Sequence, residues 1–256
     1  VGWQEWLTVA EPAGDVALEA RAALAVAGGP KAARILCRQL AGALDTELAR
    51  LRATAAAEAV RAGCDRLLRA ARVGLRLTRP WRVVVAGPVN AGKSSLVNAL
   101  AGHARALVAP TPGTTRDLVE TRLVVEGWEI DLVDTAGQRP EPAGTVEAAG
   151  IARGAAAAAA ADLVLRVVPA DEAAGVPPAG PGELVVISKA DLLPPHAACP
   201  AAACRTSAAT GEGIGALAAR IAAAVVPEEA AAPDLLAGAV PFTPRQVAAV
   251  RQLVAD

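Results

Sequence analysis

Gly87-Pro88-Val89-Asn90-Ala91-Gly92-Lys93-Ser94 fits the pattern G-x-x-x-x-G-K-[ST]. The apolar run Val83-Val84-Val85 leads into it, and a helix-patterned stretch over 92–101 follows. Strand, glycine-rich loop and helix in that order form a cradle for phosphate, because backbone N–H groups of the loop and of the helix N-terminus converge on one anion. Lys93 is placed to reach the β- and γ-phosphates and Ser94 to ligate Mg2+, with Asn90, Ala91, Gly92 and Ser95 completing the contact stretch. The lysine is informative in itself: the chain holds 3 Lys against 22 Arg, and a planar guanidinium does not replace a compact ammonium in such a nest.

Working outward, further short apolar runs read as strands at 163–168 and 184–187. Two more, at 118–125 and 128–133, meet at Glu126-Gly127 as in a hairpin. Helical patterns lie between them at 144–161 and 213–226. This alternation predicts an α/β fold with a mostly parallel sheet flanked by helices. Residues 1–80 read as helix almost throughout, broken at Gly28-Gly29-Pro30. After a Pro/Glu/Ala linker at 227–233, Thr243-Pro244 opens a last helix over 244–255.

Composition sets the outer limits. The chain has 256 residues, 54% hydrophobic and 20% charged, with a net charge of -1, so it is long enough for one large domain or two modest ones. That balance excludes global disorder and argues against a dedicated polyanion or membrane-surface binder. Cys37, Cys64, Cys199 and Cys204 form no zinc-type spacing and read as free thiols. The most apolar run, 155–168, contains Asp162 and Arg166 and is mostly alanine, so no membrane span is expected. No basic-then-apolar leader opens the chain, and a cytoplasmic location is expected. Val1 in place of Met fits a fragment or an unusual start. Charge does gather locally: Arg69, Arg72, Arg76 and Arg79 share one helix face, either a solvated face or a contact surface for RNA or an acidic partner.

Three segments choose between adenine and guanine. Asp134-Thr135-Ala136-Gly137 follows a strand, where Asp134 can hold the Mg2+ shell and Gly137 can offer its N–H to a γ-phosphate. In Ser188-Lys189-Ala190-Asp191, the Asp191 carboxylate can accept from N1–H and the exocyclic amine of guanine, a donor pair adenine lacks. Thr206-Ser207-Ala208 precedes a glycine-rich turn and a helix, which places Ser207 and Ala208 to cover the base. The cofactors expected are therefore GTP or GDP with Mg2+.

Residues 87–100 (GPVNAGKSSLVNAL), Gly113-Thr114-Thr115-Arg116-Asp117 and Asp134-Thr135-Ala136-Gly137 resemble the Era-like branch of small bacterial GTPases, nearest to the MnmE/TrmE-type tRNA-modification GTPases. Val146-Glu147-Ala148-Ala149-Gly150-Ile151-Ala152-Arg153 is similar to that family's segment after switch II, Arg38 to Leu44 to the start of its helical domain, and Phe242-Thr243-Pro244-Arg245-Gln246 to the return into it. The resemblance implies a P-loop GTPase domain at 81–226 inserted into an all-α helical domain made of 1–80 and 227–256. It implies hydrolysis of GTP to GDP and phosphate as a conformational switch, with loops 102–117 and 137–144 as the switches. It assigns Thr115 to Mg2+, Asn90 to K+, and Glu147 to orientation of the attacking water. Its expected partners are a second G domain and tRNA or a protein, with no membrane.

The departures carry their own expectations. Ser188 stands where the family has Asn, which removes an amide that braces the base and the phosphate loop and predicts weaker guanine affinity. Gln138, after the DTAG stretch, is a second candidate for orienting water; the family's segment favours Glu147, although alignment needs one inserted residue. Arg166 inside a strand demands an edge position or a carboxylate partner. The Pro- and Gly-rich stretch between Val168 and Glu183 is too short for a full crossover helix. No counterpart of the family's folate-binding N-terminal domain or of its C-terminal cysteine segment is expected before residue 1 or after Asp256, so tRNA modification is not inferred from the resemblance alone. Alternatives are a degenerate nucleotide-binding module with little turnover, an RNA- or ribosome-associated factor, and, least favoured, a P-loop ATPase.

Overall fold

The computed structural model describes residues 14–104, 119–134, 160–194, 200, 202–227 and 236–255. The chain divides into two units, Val1–Arg79 with Pro227–Asp256, and Pro80–Val226.

The first unit is helical: α1 (Asp15–Leu24), α2 (Pro30–Leu40), α3 (Ala43–Ala53), α4 (Ala57–Gly74) and, after the excursion into the second unit, α7 (Pro244–Ala255). Each helix follows a stripe of apolar residues at helical spacing. Ile35 and Leu36 of α2, Leu44, Leu48 and Leu51 of α3, and Cys64, Leu67 and Ala71 of α4 are all buried. Pro30 sits in the first turn of α2, where its missing N–H costs nothing.

The returning chain is stitched in by side chains from α2. Arg38 Nη1 donates to Leu236 O at 2.9 Å. Gln39 Nε2 donates to Gly238 O at 3.1 Å, and its Oε1 accepts from Val240 N at 3.1 Å. Gly74 admits the same segment, since a Cβ there would lie 2.0 Å from Pro241 O. Thr243 and Gln246 then form a reciprocal cap at the start of α7: Gln246 N donates to Thr243 Oγ1 and Thr243 N to Gln246 Oε1, both at 3.3 Å.

The second unit holds a six-stranded sheet in the order β2-β3-β1-β4-β5-β6. Its strands are β1 (Trp81–Ala86), β2 (Val119–Val125), β3 (Trp128–Asp134), β4 (Leu163–Pro169), β5 (Glu183–Ser188) and β6 (Cys204–Arg205). Every pairing is parallel except β2 with β3. Those two join through Glu126 (φ 51°) and Gly127 (φ 80°), the paired positive φ values of a two-residue hairpin turn. Helices α5 (Lys93–His103) and α6 (Ile214–Val225) pack on strands of this sheet. β6 was not expected from the sequence; at two residues it has no periodicity to read.

Arg166 lies on β4, a central strand, and its charge is met by Glu183 on β5, Nε to Oε1 2.8 Å. Its Nη2 also donates to Pro177 O at 2.9 Å and Pro178 O at 3.2 Å, while Gly180 N donates to the Glu183 carboxylate at 2.9 Å. The β4–β5 connection carries only a 3-10 turn, Ala170–Glu172, and no α-helix. The guanidinium, a fork of five donors, ties this helix-free crossover to the strands it joins. Val168, Ala173, Val185 and Ile187 bury a small cluster beneath it. Of the helix expected over 144–161, Ala160 and Ala161 are turn and coil, and the remainder lies outside the described residues.

Candidate active site

β1 delivers the chain into the 87–92 loop at the C-terminal edge of the sheet, beside the ends of β3 and β4. The turn out of β1 needs glycine: Gly87 has φ 152°, and a Cβ there would lie 2.3 Å from Val167 O. Asn90 takes the left-handed conformation at φ 64°, which its short amide tolerates, and Gly92 at φ 83° caps α5. Gly92, with no side chain, makes no side-chain cap on α5, and the first-turn N–H groups there are suited to an anion.

Lys93 is 6% exposed and donates to Gly87 O at 2.9 Å and Pro88 O at 2.7 Å. Burial holds its ammonium below the usual lysine range, and the nearby Asp134 carboxylate opposes that shift. Ser94 Oγ donates to Asp134 Oδ2 at 2.7 Å across 40 residues of sequence. A hydroxyl and a carboxylate so close are hard oxygen donors of the kind Mg2+ takes alongside phosphate, so these residues fit that ion. Ser95 is exposed one position further along α5.

The second half of the site is built at the ends of β5 and β6. Ser188, expected just past the strand, is its last residue and is 5% exposed. Its hydroxyl donates to Ala91 O at 2.6 Å, with Val168 O at 3.3 Å. A link to the phosphate loop therefore exists at this position through a hydroxyl in place of an amide. Lys189 follows at φ 54°, with its Cε 3.9 Å from the position a Cβ on Gly92 would take. Asp191 stands exposed in a 3-10 turn, Ala190–Leu192. Thr206 N donates to Ile187 O at 2.8 Å and Ala190 N to Thr206 O at 3.0 Å, which locks the 206–208 turn beside it. Ser207 is buried there, accepting at Oγ from Thr210 N at 3.2 Å, and Ala208 is exposed. The sequence reading passed over Thr206 as a tie between these turns, because nothing local signals a bond to a residue 19 positions away.

The structure thus gathers Asn90, Ala91, Gly92, Lys93, Ser94, Ser95 and Asp134 at one end, and Ser188, Lys189, Asp191, Ser207 and Ala208 at the other. Thr115, Gly137, Gln138 and Glu147 lie outside the described residues.

A loop spent on phosphate, a hydroxyl–carboxylate pair, and a carboxylate turn behind β5 coincide with a family match: residues 82–181 fit the model described as 50S ribosome-binding GTPase. This unit has the P-loop GTPase fold. Curated homologues agree. A tRNA modification GTPase MnmE of Methylobacterium sp. is 46% identical over 170 residues, covering 66% of this chain and 38% of that protein. The protein of the same name from Methylorubrum populi is 45% identical over 177 residues, covering 68% of this chain and 38% of its own. The chain therefore spans well under half the length of these relatives. Among solved structures, the G domain of the T. maritima FeoB iron transporter aligns with 58% of this chain and 100% of its own, at 26% identity and a TM-score of 0.37. Among the described residues, no helix is long and apolar enough to cross a membrane.

Proposed function

We propose that this chain binds GTP across the two halves of the site and hydrolyses it to GDP and phosphate in the cytoplasm. The observation that carries the reading is the meeting of Lys93 with the Ser94–Asp134 pair at the mouth of the 87–92 loop. Water attacks the γ-phosphorus, the bond to the β–γ bridging oxygen breaks, and GDP departs with that oxygen. Little covalent chemistry falls to the protein, so catalysis is positioning and charge stabilisation. Lys93 and the first-turn N–H groups of α5 hold the phosphate oxygens. Ser94 and Thr115 would ligate Mg2+, with Asp134 in its shell; when bound, the ion neutralises charge between the β- and γ-phosphates. Gly137 would donate its N–H to the γ-phosphate. Glu147, with Gln138 as the second candidate, orients the attacking water. Asp191 reads the guanine edge while Ser207 and Ala208 cover it.

Asn90 is exposed at the loop tip with an amide oxygen suited to a hard monovalent cation, which supports K+ as a second activating ion between two facing G domains. GTP turnover in KCl against NaCl, over a protein concentration series, tests this. Rate per protein rising with concentration in KCl alone is expected; an equal, concentration-independent rate in both salts removes K+ and the dimer. Arg69, Arg72 and Arg79 are exposed on and just after α4, which supports a second reading in which tRNA docks on the helical unit. Neutralising those three should lower the salt slope of tRNA binding; an unchanged slope removes this partner face.

A further inference from the structure

Guanine presents two kinds of edge. N1–H and the exocyclic amine donate, and the acceptor-only carboxylate of Asp191 matches them. O6 and N7 accept, so reading them requires donors. Among the side chains of the 188–191 run the donors are the Ser188 hydroxyl and the Lys189 ammonium. Ala190 has no polar side chain, and ionised Asp191 has no proton. The stem of Lys189 runs against the phosphate loop, with Cε 3.9 Å from the Cβ position of Gly92.

That leaves Ser188, whose hydroxyl has one proton and two backbone carbonyls within reach. Ala91 O is at 2.6 Å and Val168 O at 3.3 Å, and Ser188 is 5% exposed. Ala91 is wholly buried, so its carbonyl left unmet would carry a desolvation cost that water cannot relieve. The proton is committed to these carbonyls, Ala91 O in the phosphate loop and Val168 O on β4.

We infer that the Ser188 hydroxyl is a positioning group for the phosphate loop and not a base contact, so that N7 of the base goes unread and guanine nucleotides lacking the N7 acceptor are taken as readily as the parent ones. The inference rests on the guanine-nucleotide reading of the site. It adds that base selection comes from the Asp191 edge, while Ser188 sets how firmly the phosphates are held.

The test is equilibrium binding and dissociation of GDP, 7-deaza-GDP, GMP and ADP with the full chain, its Ser188→Ala variant and its Ser188→Thr variant. For the unsubstituted chain, GDP and 7-deaza-GDP should bind within about twofold of each other, with ADP far weaker. Ser188→Ala should weaken GDP and 7-deaza-GDP alike, by about 5- to 10-fold, mainly through faster dissociation. GMP, with no β-phosphate for the loop to hold, should lose less, a split that a general loss of structure does not produce. Ser188→Thr keeps the hydroxyl and should restore GDP binding. A tenfold or greater preference of the unsubstituted chain for GDP over 7-deaza-GDP overturns the inference while leaving the guanine site standing. So does an equal loss of GDP and GMP in Ser188→Ala. Failure of every guanine nucleotide to bind, or ADP binding as well as GDP, overturns the guanine reading itself.

Discussion

The two units bury polar side chains for opposite ends. In the α/β unit Lys93, Asp134, Ser188, Thr206 and Ser207 are buried at the ends of β1, β3, β5 and β6. They crowd one edge of the sheet, which is where open α/β sheets take ligands. Among the described residues of the helical unit the buried polar side chains are Gln39 and Gln246, and both are bonded within their own chain. Gln39 serves Ile35 O, Gly238 O and Val240 N; Gln246 serves Phe242 N, Thr243 N and the Glu19 carboxylate. One set lines the sheet edge where a ligand would arrive, and the other closes a helical unit by tying Gln39 to residues about 200 positions further along the chain. Buried polarity alone does not mark a site; its gathering at the C-terminal edge of a parallel sheet does.

The sharpest separation should come from Lys93→Ala. Removing the buried ammonium should lower GTP affinity and turnover at least about 100-fold, because the phosphate charge then meets no cation from the loop. Thermal unfolding should hardly move. Gln39→Leu is the mirror experiment: it leaves Val240 N unmet in a buried setting and should cost about 2 kcal/mol of stability. Amide exchange over 236–242 should accelerate while GTP affinity is unchanged. A large loss of nucleotide binding in that variant would break the division of labour between the units.

A smaller effect is expected at Arg166→Met. Glu183 keeps its charge, and the Pro177 and Pro178 carbonyls lose their donor, at about 1–2 kcal/mol for a half-exposed pair. The change should appear as faster exchange confined to 170–182; exchange unchanged there would show that the guanidinium does not hold the crossover. The smallest effect is pH-dependent. Hydrogen bonds from Arg245 hold the Glu19 carboxyl below the usual 4.5, against the opposing pull of burial. A carboxyl depressed in the folded state stabilises fully above the unfolded value and loses that contribution as pH falls through the folded one. Glu19→Gln should therefore be less stable than the parent at pH 7, by about 1 kcal/mol, with the gap narrowing below about pH 4.5. A gap that stays constant to pH 3 would remove Glu19 from the titration.

The legible parts of the fold are those where function or geometry leaves little choice of residue. Eight consecutive residues define the phosphate loop because its nest needs glycine at Gly87 and a compact cation at Lys93. The β2–β3 hairpin shows in Glu126-Gly127 between two apolar runs, and α7 in Thr243-Pro244. Contacts between residues distant in sequence were beyond reach. Arg166 announced only that it needed a partner; the Pro177 and Pro178 carbonyls come to it because the crossover folds back on β4. Ser188 read as a lost amide, since nothing in its neighbourhood says that Ala91 O lies 2.6 Å away. β6 escaped because two residues pair by position alone.

The central claim is that the 87–94 loop is the seat of GTP hydrolysis. GTP turnover with Mg2+, measured side by side for the intact chain and its Lys93→Ala variant with excess ATP as competitor, tests it most directly. Turnover that ATP leaves untouched and that disappears in Lys93→Ala is the expected result. Equal turnover in the two proteins, or turnover suppressed by ATP, would contradict it.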